Sequence, residues 1–89
     1  MQLAPVAAVK VSQFKITMQT FELKTEFIPL NQLLKALGWA ETGGHAHEII
    51  DSGYVSVGGN VETQRRKKIR TGMLVSYEDQ EVKIVSSED

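Results

Sequence analysis

The chain has 89 residues, of which 42% are hydrophobic and 24% are charged, and its formal net charge is -1. This composition is typical of a soluble globular domain, and a chain this short buries only about 60% of its unfolded surface, which leaves little room for a deep, closed active site. The lack of cysteine excludes disulfides and thiolate metal sites and fits a reducing compartment. No apolar run approaches the roughly 20 residues that cross a bilayer. We therefore expect a cytoplasmic single-domain protein that binds its partner at its surface and does not contact membranes.

The first 19 residues show no clean period and no helix-capping signal. Lys10 and Lys15 interrupt their mildly apolar run, whereas a secretory signal would place its charge ahead of an unbroken one. We expect residues 1–19 to form a leader, disordered rather than folded, and residues 20–89 to form the single domain. Phe21 and Leu23 alternate with polar neighbours, which predicts a short strand at the start of that domain.

Residues 28–38 predict a first helix. Its leucines follow the i, i+3, i+4, i+7 spacing of one helix face, at Leu30, Leu33, Leu34 and Leu37. Pro29 suits the first turn, and Gly38 ends the helix.

A second helix is predicted from the N-cap Thr42 to Gly53, with three apolar residues on its inward face, Ala46, Ile49 and Ile50. The period then changes from helical to two. Residues 54–57 alternate, Gly58 and Gly59 suit a hairpin turn, and Val61 begins a returning strand. Two more strands are predicted in residues 73–77 and 82–85. The pattern predicts an α+β fold, a two-helix pair packed on a small, mostly antiparallel twisted sheet.

Residues 65–70 hold five of the ten Lys and Arg of the chain, at Arg65, Arg66, Lys67, Lys68 and Arg70. They lie between two predicted strands, and Ile69 interrupts them as an expected inward-facing anchor, so we predict a structured loop and not a mobile tail. A charged strand edge that discourages aggregation is the alternative interpretation. Five cations in six positions exceed what edge protection needs and repel one another, which favours contact with phosphate.

The start of the second helix is the other candidate for anion binding. Gly43 and Gly44 would let an anion approach unpaired N–H groups, with His45 as a further donor, although glycines that let the helices cross closely are equally compatible with the pattern. On a helix, His45 and His47 lie about 200° apart, so they are not expected to share a metal ion.

Catalytic motifs are not recognisable, because the Ser, Thr and His residues are scattered. We expect no enzymatic activity, no cofactor, no metal and no small-molecule substrate. Trp39, Phe27 and Tyr54 are candidates for stacking on bases, but core packing is the favoured interpretation of Trp39. A helix-turn-helix is disfavoured, because the second helix carries Glu48 and Asp51 and no Lys or Arg.

The run PLNQLLKALGWAETGGHAHEIIDSGYVSVGGNVETQRRKKIRTG, residues 29–72, resembles the RNA-binding domain of the ribosomal-protein-S-four type, the alpha-L motif, with the likeness covering roughly residues 21–85. Members of this family pack two helices on a small twisted sheet and bind structured RNA, often ribosomal RNA. The resemblance is strongest to small stand-alone bacterial members. It implies a ribosome-associated RNA-binding protein whose partners are structured RNA, with ribosomal RNA or ribosomal particles as the expected class.

Carried over by position, the RNA face comprises Thr42, Gly43, Gly44, His45, His47, Arg65, Arg66, Lys67, Lys68 and Arg70. This chain departs from the family, which often has Arg or Lys early in the second helix. Five phosphate contacts would give a log-log salt slope of about -3.5 to -4.5. The alternative is a protein-interaction adaptor that binds no nucleic acid and grips a partner through the acidic C-terminal segment or the basic strip.

Overall fold

The computed structural model describes residues 17–87, so the expectation for residues 1–16 lies outside the described part of the chain. Two helices are present, α1 (Leu30–Ala36) and α2 (Gly43–Asp51). The strands are β1 (Thr17–Leu23), β2 (Ile28–Pro29), β3 (Val55–Val57), β4 (Asn60–Val61), β5 (Lys68–Ile69), β6 (Leu74–Tyr77) and β7 (Gln80–Ser86).

Five strands form the main sheet in the order β1-β7-β6-β3-β4. β1 runs parallel to β7, and the other neighbours are antiparallel. β2 and β5 form a separate antiparallel pair that places Ile28 opposite Ile69. The predicted α+β fold with a mostly antiparallel sheet is confirmed. β1 begins at Thr17, three residues before the domain boundary expected at residue 20.

The first helix is shorter than its sequence pattern. Leu30, Leu33 and Leu34 are fully buried as the stripe predicts, and Gly38 follows the helix with φ +80°, a conformation that glycine adopts without strain. Pro29 lies at the N-cap with extended backbone angles, outside the first turn, because it belongs to β2.

The second helix begins as predicted. Thr42 has an extended backbone, and its hydroxyl accepts a hydrogen bond from the N–H of His45 at 3.0 Å. The predicted hairpin turn is confirmed by positive φ angles at Gly58 and Gly59. The returning strand β4 begins at Asn60, one residue before the start that the sequence pattern predicts.

The core lies between the helix pair and the main sheet. Its largest fully buried side chains are Leu30, Leu33, Leu34, Ile50, Ile69, Ile84, Val55, Val75 and Val82. Trp39 is only 8% exposed, and its ring centroid lies 5.9 Å from that of Tyr77, which confirms the core interpretation of this tryptophan. Within residues 17–87, neither helix has the length and apolar character to cross a membrane.

Candidate nucleic-acid interface

The basic segment, residues 65–70, is fixed to the start of α1 by its backbone. Ile69 is fully buried. The N–H of Leu30 donates to the carbonyl oxygen of Lys67, and the N–H of Asn31 donates to that of Arg65, both at 2.9 Å. The first N–H groups of a helix have no partner within the helix, so the basic segment caps α1. This confirms the predicted structured loop.

Arg65 makes a two-pronged ion pair with Asp51, the last residue of α2. The Nε atom of Arg65 donates to Oδ1 of Asp51 at 3.0 Å, and its Nη2 atom donates to Oδ2 at 2.6 Å. The hydrogen bond from Arg65 lowers the pKa of the Asp51 carboxyl below its ordinary value. A carboxylate is unfavourable at the negative end of a helix dipole, and the guanidinium offsets this. The charge of Arg65 is therefore largely committed within the fold.

The ring of Phe27 contacts two further cations of the basic segment, Lys68 and Arg70. The Nζ atom of Lys68 lies 5.0 Å from the ring centroid and the guanidinium carbon of Arg70 lies 5.5 Å from it, within the roughly 6 Å at which cation–π attraction acts. Arg70 also approaches Glu26 at 3.9 Å. The ring of Phe27 thus contacts cations of the basic segment in this structure.

The remaining cations of the segment, Arg66 and Lys67, have no ionic partner within residues 17–87. Lys68 contacts the ring of Phe27 but no carboxylate within the same range. Within residues 17–87, three of the five cations could therefore meet an anion without first breaking an ion pair.

His47 joins the basic segment through α1. The side-chain amide of Asn31 donates to Nε2 of His47 at 3.1 Å. The amide oxygen of Asn31 accepts from the N–H of Gln32 at 2.9 Å, which fixes the orientation of the amide. Asn31 is thus a residue of this region that sequence analysis missed.

The start of α2 is a separate cluster. The helix rises about 12 Å between Gly43 and Asp51, the residue that binds Arg65, at 1.5 Å per residue. Within residues 17–87, no hydrogen bond or ion pair joins Thr42, Gly43, Gly44 or His45 to the basic segment. Nδ1 of His45 accepts from the N–H of Glu41 at 3.2 Å. The structure therefore divides the ten candidate residues into two groups, with His47 in the group of the basic segment.

The glycines at the start of α2 are not explained by close helix packing. A Cβ atom at Gly43 would meet nothing within 4 Å, and one at Gly44 would meet only the hydroxyl oxygen of Thr42 at 3.9 Å. Of the two interpretations left open by the sequence, close helix crossing has no support. His45 and His47 bind different partners, and residues 17–87 contain no group of three acidic or histidine side chains arranged to hold a metal.

Three comparisons identify relatives of the chain. The S4 domain matches residues 21–85. YbcJ of Escherichia coli (strain K12) and YbcJ of Shigella flexneri are each 43% identical over 70 residues, which is 78% of this chain and the whole of each relative. The solution structure of E. coli YbcJ, described as revealing an alfaL motif involved in RNA binding, is similar with a TM-score of 0.58 and 36% identity, covering 81% of this chain and 90% of that one.

These comparisons confirm the resemblance to the RNA-binding domain of the ribosomal-protein-S-four type that the sequence indicated. They also confirm that the chain resembles a small stand-alone bacterial protein, here YbcJ. The matched range of the S4 domain coincides with the expected one, from the end of β1 to the end of β7. The chain belongs to the S4-domain family.

Proposed function

We propose that this protein binds structured RNA and that the basic segment is its principal contact with the phosphates. The observation that carries the proposal is the anchored array of Arg66, Lys67 and Lys68, which have no carboxylate partners within residues 17–87. Phosphate contacts of Lys and Arg supply most of the sequence-independent affinity of nucleic-acid-binding proteins. The RNA-binding role described for the E. coli YbcJ structure supports the same function.

The fixed backbone distinguishes this surface from a flexible basic tail. Backbone hydrogen bonds to Leu30 and Asn31 and the buried Ile69 hold residues 65–70 in one conformation. A tail would lose conformational entropy on binding, whereas this segment has already been ordered by folding. A fixed arrangement of cations suits an RNA of defined shape, and recognition through shape and phosphates is usual for double-stranded RNA.

The start of α2 is a second, weaker contact in this proposal. Thr42, Gly43, Gly44 and His45 include no Lys or Arg, and the N–H of His45 already donates to the Thr42 hydroxyl. The contribution of this cluster would come from the N–H groups of Gly43 and Gly44 at the positive end of the helix dipole. The family resemblance favours ribosomal RNA as the ligand and a cytoplasmic, ribosome-associated protein. Binding without catalysis is the activity that we assign.

The test is fluorescence anisotropy of labelled, folded ribosomal RNA fragments with three proteins. The first is the intact chain, and the second is the triple variant Arg66→Ala, Lys67→Ala, Lys68→Ala. The third is a matched control that removes three exposed lysines elsewhere, Lys24→Ala, Lys35→Ala, Lys83→Ala. All three must show the same folded circular-dichroism spectrum.

We expect the basic-segment variant to bind at least about tenfold more weakly than the control at the same salt concentration. Equal losses in both variants would mean that net charge alone drives binding and would contradict the proposed surface. No binding of RNA by the intact chain at low salt would instead favour the protein-interaction adaptor.

A further inference from the structure

A concave groove of about 550 Å³ lies along α2, and no residue of the basic segment lines it. It is lined by α2, the start of β3 and the turn between β6 and β7, with the residues His45, Glu48, Ile49, Ser52, Tyr54, Tyr77 and Glu78. On α2, each step turns about 100°, so His45, Glu48 and Ser52 form one face, while His47 points about 200° away from His45 towards α1. One face of α2 therefore lines the groove, and a different face points towards α1 and the basic segment.

The groove combines aromatic rings with carboxylates, of which Glu78 also interacts with the Tyr77 phenol by a side-chain hydrogen bond. Tyr54 is 65% exposed, and the ring of Tyr77 packs against that of Trp39. Glu48 and Glu78 have no ion-pair partner within residues 17–87, and no Lys or Arg lines the groove. The charge of this surface is thus opposite to that of the basic segment.

Tyr77 keeps its neutral form in this setting. Burial raises the pKa of the Tyr77 phenol, and the adjacent charge of Glu78 raises it further. Glu78 itself has a left-handed φ of +58° in the tight turn after β6. The two carboxylates and the two tyrosine rings therefore line one concave space, together with the apolar side chain of Ile49.

We propose that this groove binds an arginine side chain presented by a basic segment of a protein partner. A guanidinium stacks on aromatic faces and donates two parallel hydrogen bonds to one carboxylate, and its weak hydration suits a partly enclosed site better than that of an ammonium group. Glu48 and Glu78 repel phosphate, which favours a cationic occupant of the groove over RNA. His45 lines the groove and also belongs to the proposed second RNA contact, so a phosphate at the start of α2 would contact Gly43 and Gly44, which do not line the groove. The protein would then hold a basic protein on one side of α2 while its basic segment remains free on the other.

The probe is the peptide acetyl-Gly-Arg-Gly-Arg-Gly-amide, titrated into the ¹⁵N-labelled full chain and followed by amide chemical shifts. The matched peptide carries citrulline in place of arginine, which keeps the shape and removes the charge. The groove variant is Glu48→Gln with Glu78→Gln. Its control removes two exposed carboxylates outside the groove, Glu22→Gln with Glu41→Gln. Tyr54→Leu, at an exposed position, removes a ring without changing the charge.

We expect the arginine peptide to shift amides around the groove and to bind about tenfold more weakly to the groove variant, with Tyr54→Leu several-fold weaker and the control unchanged. The proposal fails if the citrulline peptide binds equally well, if the control loses as much affinity as the groove variant, or if the shifts lie elsewhere. Concentration-dependent shifts of the groove amides without peptide would assign the groove to a second copy of this chain and would also overturn it.

Discussion

Arg65 and Asp51 are held together by two hydrogen bonds, of 3.0 and 2.6 Å, across 14 positions of the chain. This contact ties the first cation of the basic segment to the C-terminal end of α2. It orients the segment and also withdraws one charge from the set that can meet a ligand. The basic segment is therefore a structural element as well as the proposed binding surface.

The ion pair predicts a pH dependence of stability. Because the pKa of Asp51 is lower in the folded chain than its ordinary value, its contribution to stability is present above the ordinary aspartate pKa of about 3.9 and is lost as the pH falls through the folded-state pKa. Asp51→Asn should therefore be less stable than the intact chain at pH 7, and the difference should shrink at acidic pH. Urea unfolding of the variant and the intact chain, followed by Trp39 fluorescence at pH 7 and at acidic pH, measures this difference in stability. A stability difference that stays constant from pH 7 to acidic pH would contradict the ion pair. Glu41→Gln, which removes an exposed carboxylate elsewhere, is the control.

Phe27 offers a prediction that separates cation positioning from base stacking. Phe27→Leu keeps an apolar side chain but removes the ring that contacts Lys68 and Arg70, and exposed cation–π contacts are worth about 0.5–1 kcal/mol each. We expect the RNA affinity to fall roughly two- to fivefold. The affinity for inorganic polyphosphate, which has no bases, should fall equally. A loss for RNA alone would show that Phe27 stacks on bases instead.

Thr42 tests the start of α2. Thr42→Ala removes the hydroxyl that accepts from the N–H of His45, and loss of an N-cap costs about 1 kcal/mol. For a domain of this size, the melting temperature should fall by roughly 4–8 °C. Thr42→Ser keeps the acceptor and should restore most of the loss. Equal melting temperatures for the Ala and Ser variants would show that the cap does not stabilise the helix.

The elements set by local chemistry could be predicted from the sequence. The leucine spacing of α1, the cap at Thr42 and the Gly58–Gly59 turn each depend on neighbours in the chain, and the structure has all three. The anchor at Ile69 was also predictable, because an apolar residue within a run of cations has few other roles. The boundaries were less accurate. Pro29 joined β2 because of its pairing with distant Lys68, which no local pattern indicates.

The contacts that shape the candidate site were not predictable in the same way. The partners of Arg65 and Lys68 come from α2 and from Phe27, and the hydrogen bond between Asn31 and His47 joins the two helices. One signal was available for Asp51, since an acidic residue in the last turn of a helix opposes the helix dipole and calls for a cationic partner. Choosing Arg65 among five cations required the fold.

The salt dependence of RNA binding tests the central claim most directly. The sequence alone offered five candidate phosphate contacts, but Arg65 pairs with Asp51 and Arg70 lies near Glu26. The three cations of the segment without an ionic partner within residues 17–87 predict a log-log slope of about -2 to -3. The triple variant at Arg66, Lys67 and Lys68 should bring the slope close to zero, while the matched lysine control should keep that of the intact chain. The same slope in the triple variant and the intact chain would contradict binding through the basic segment.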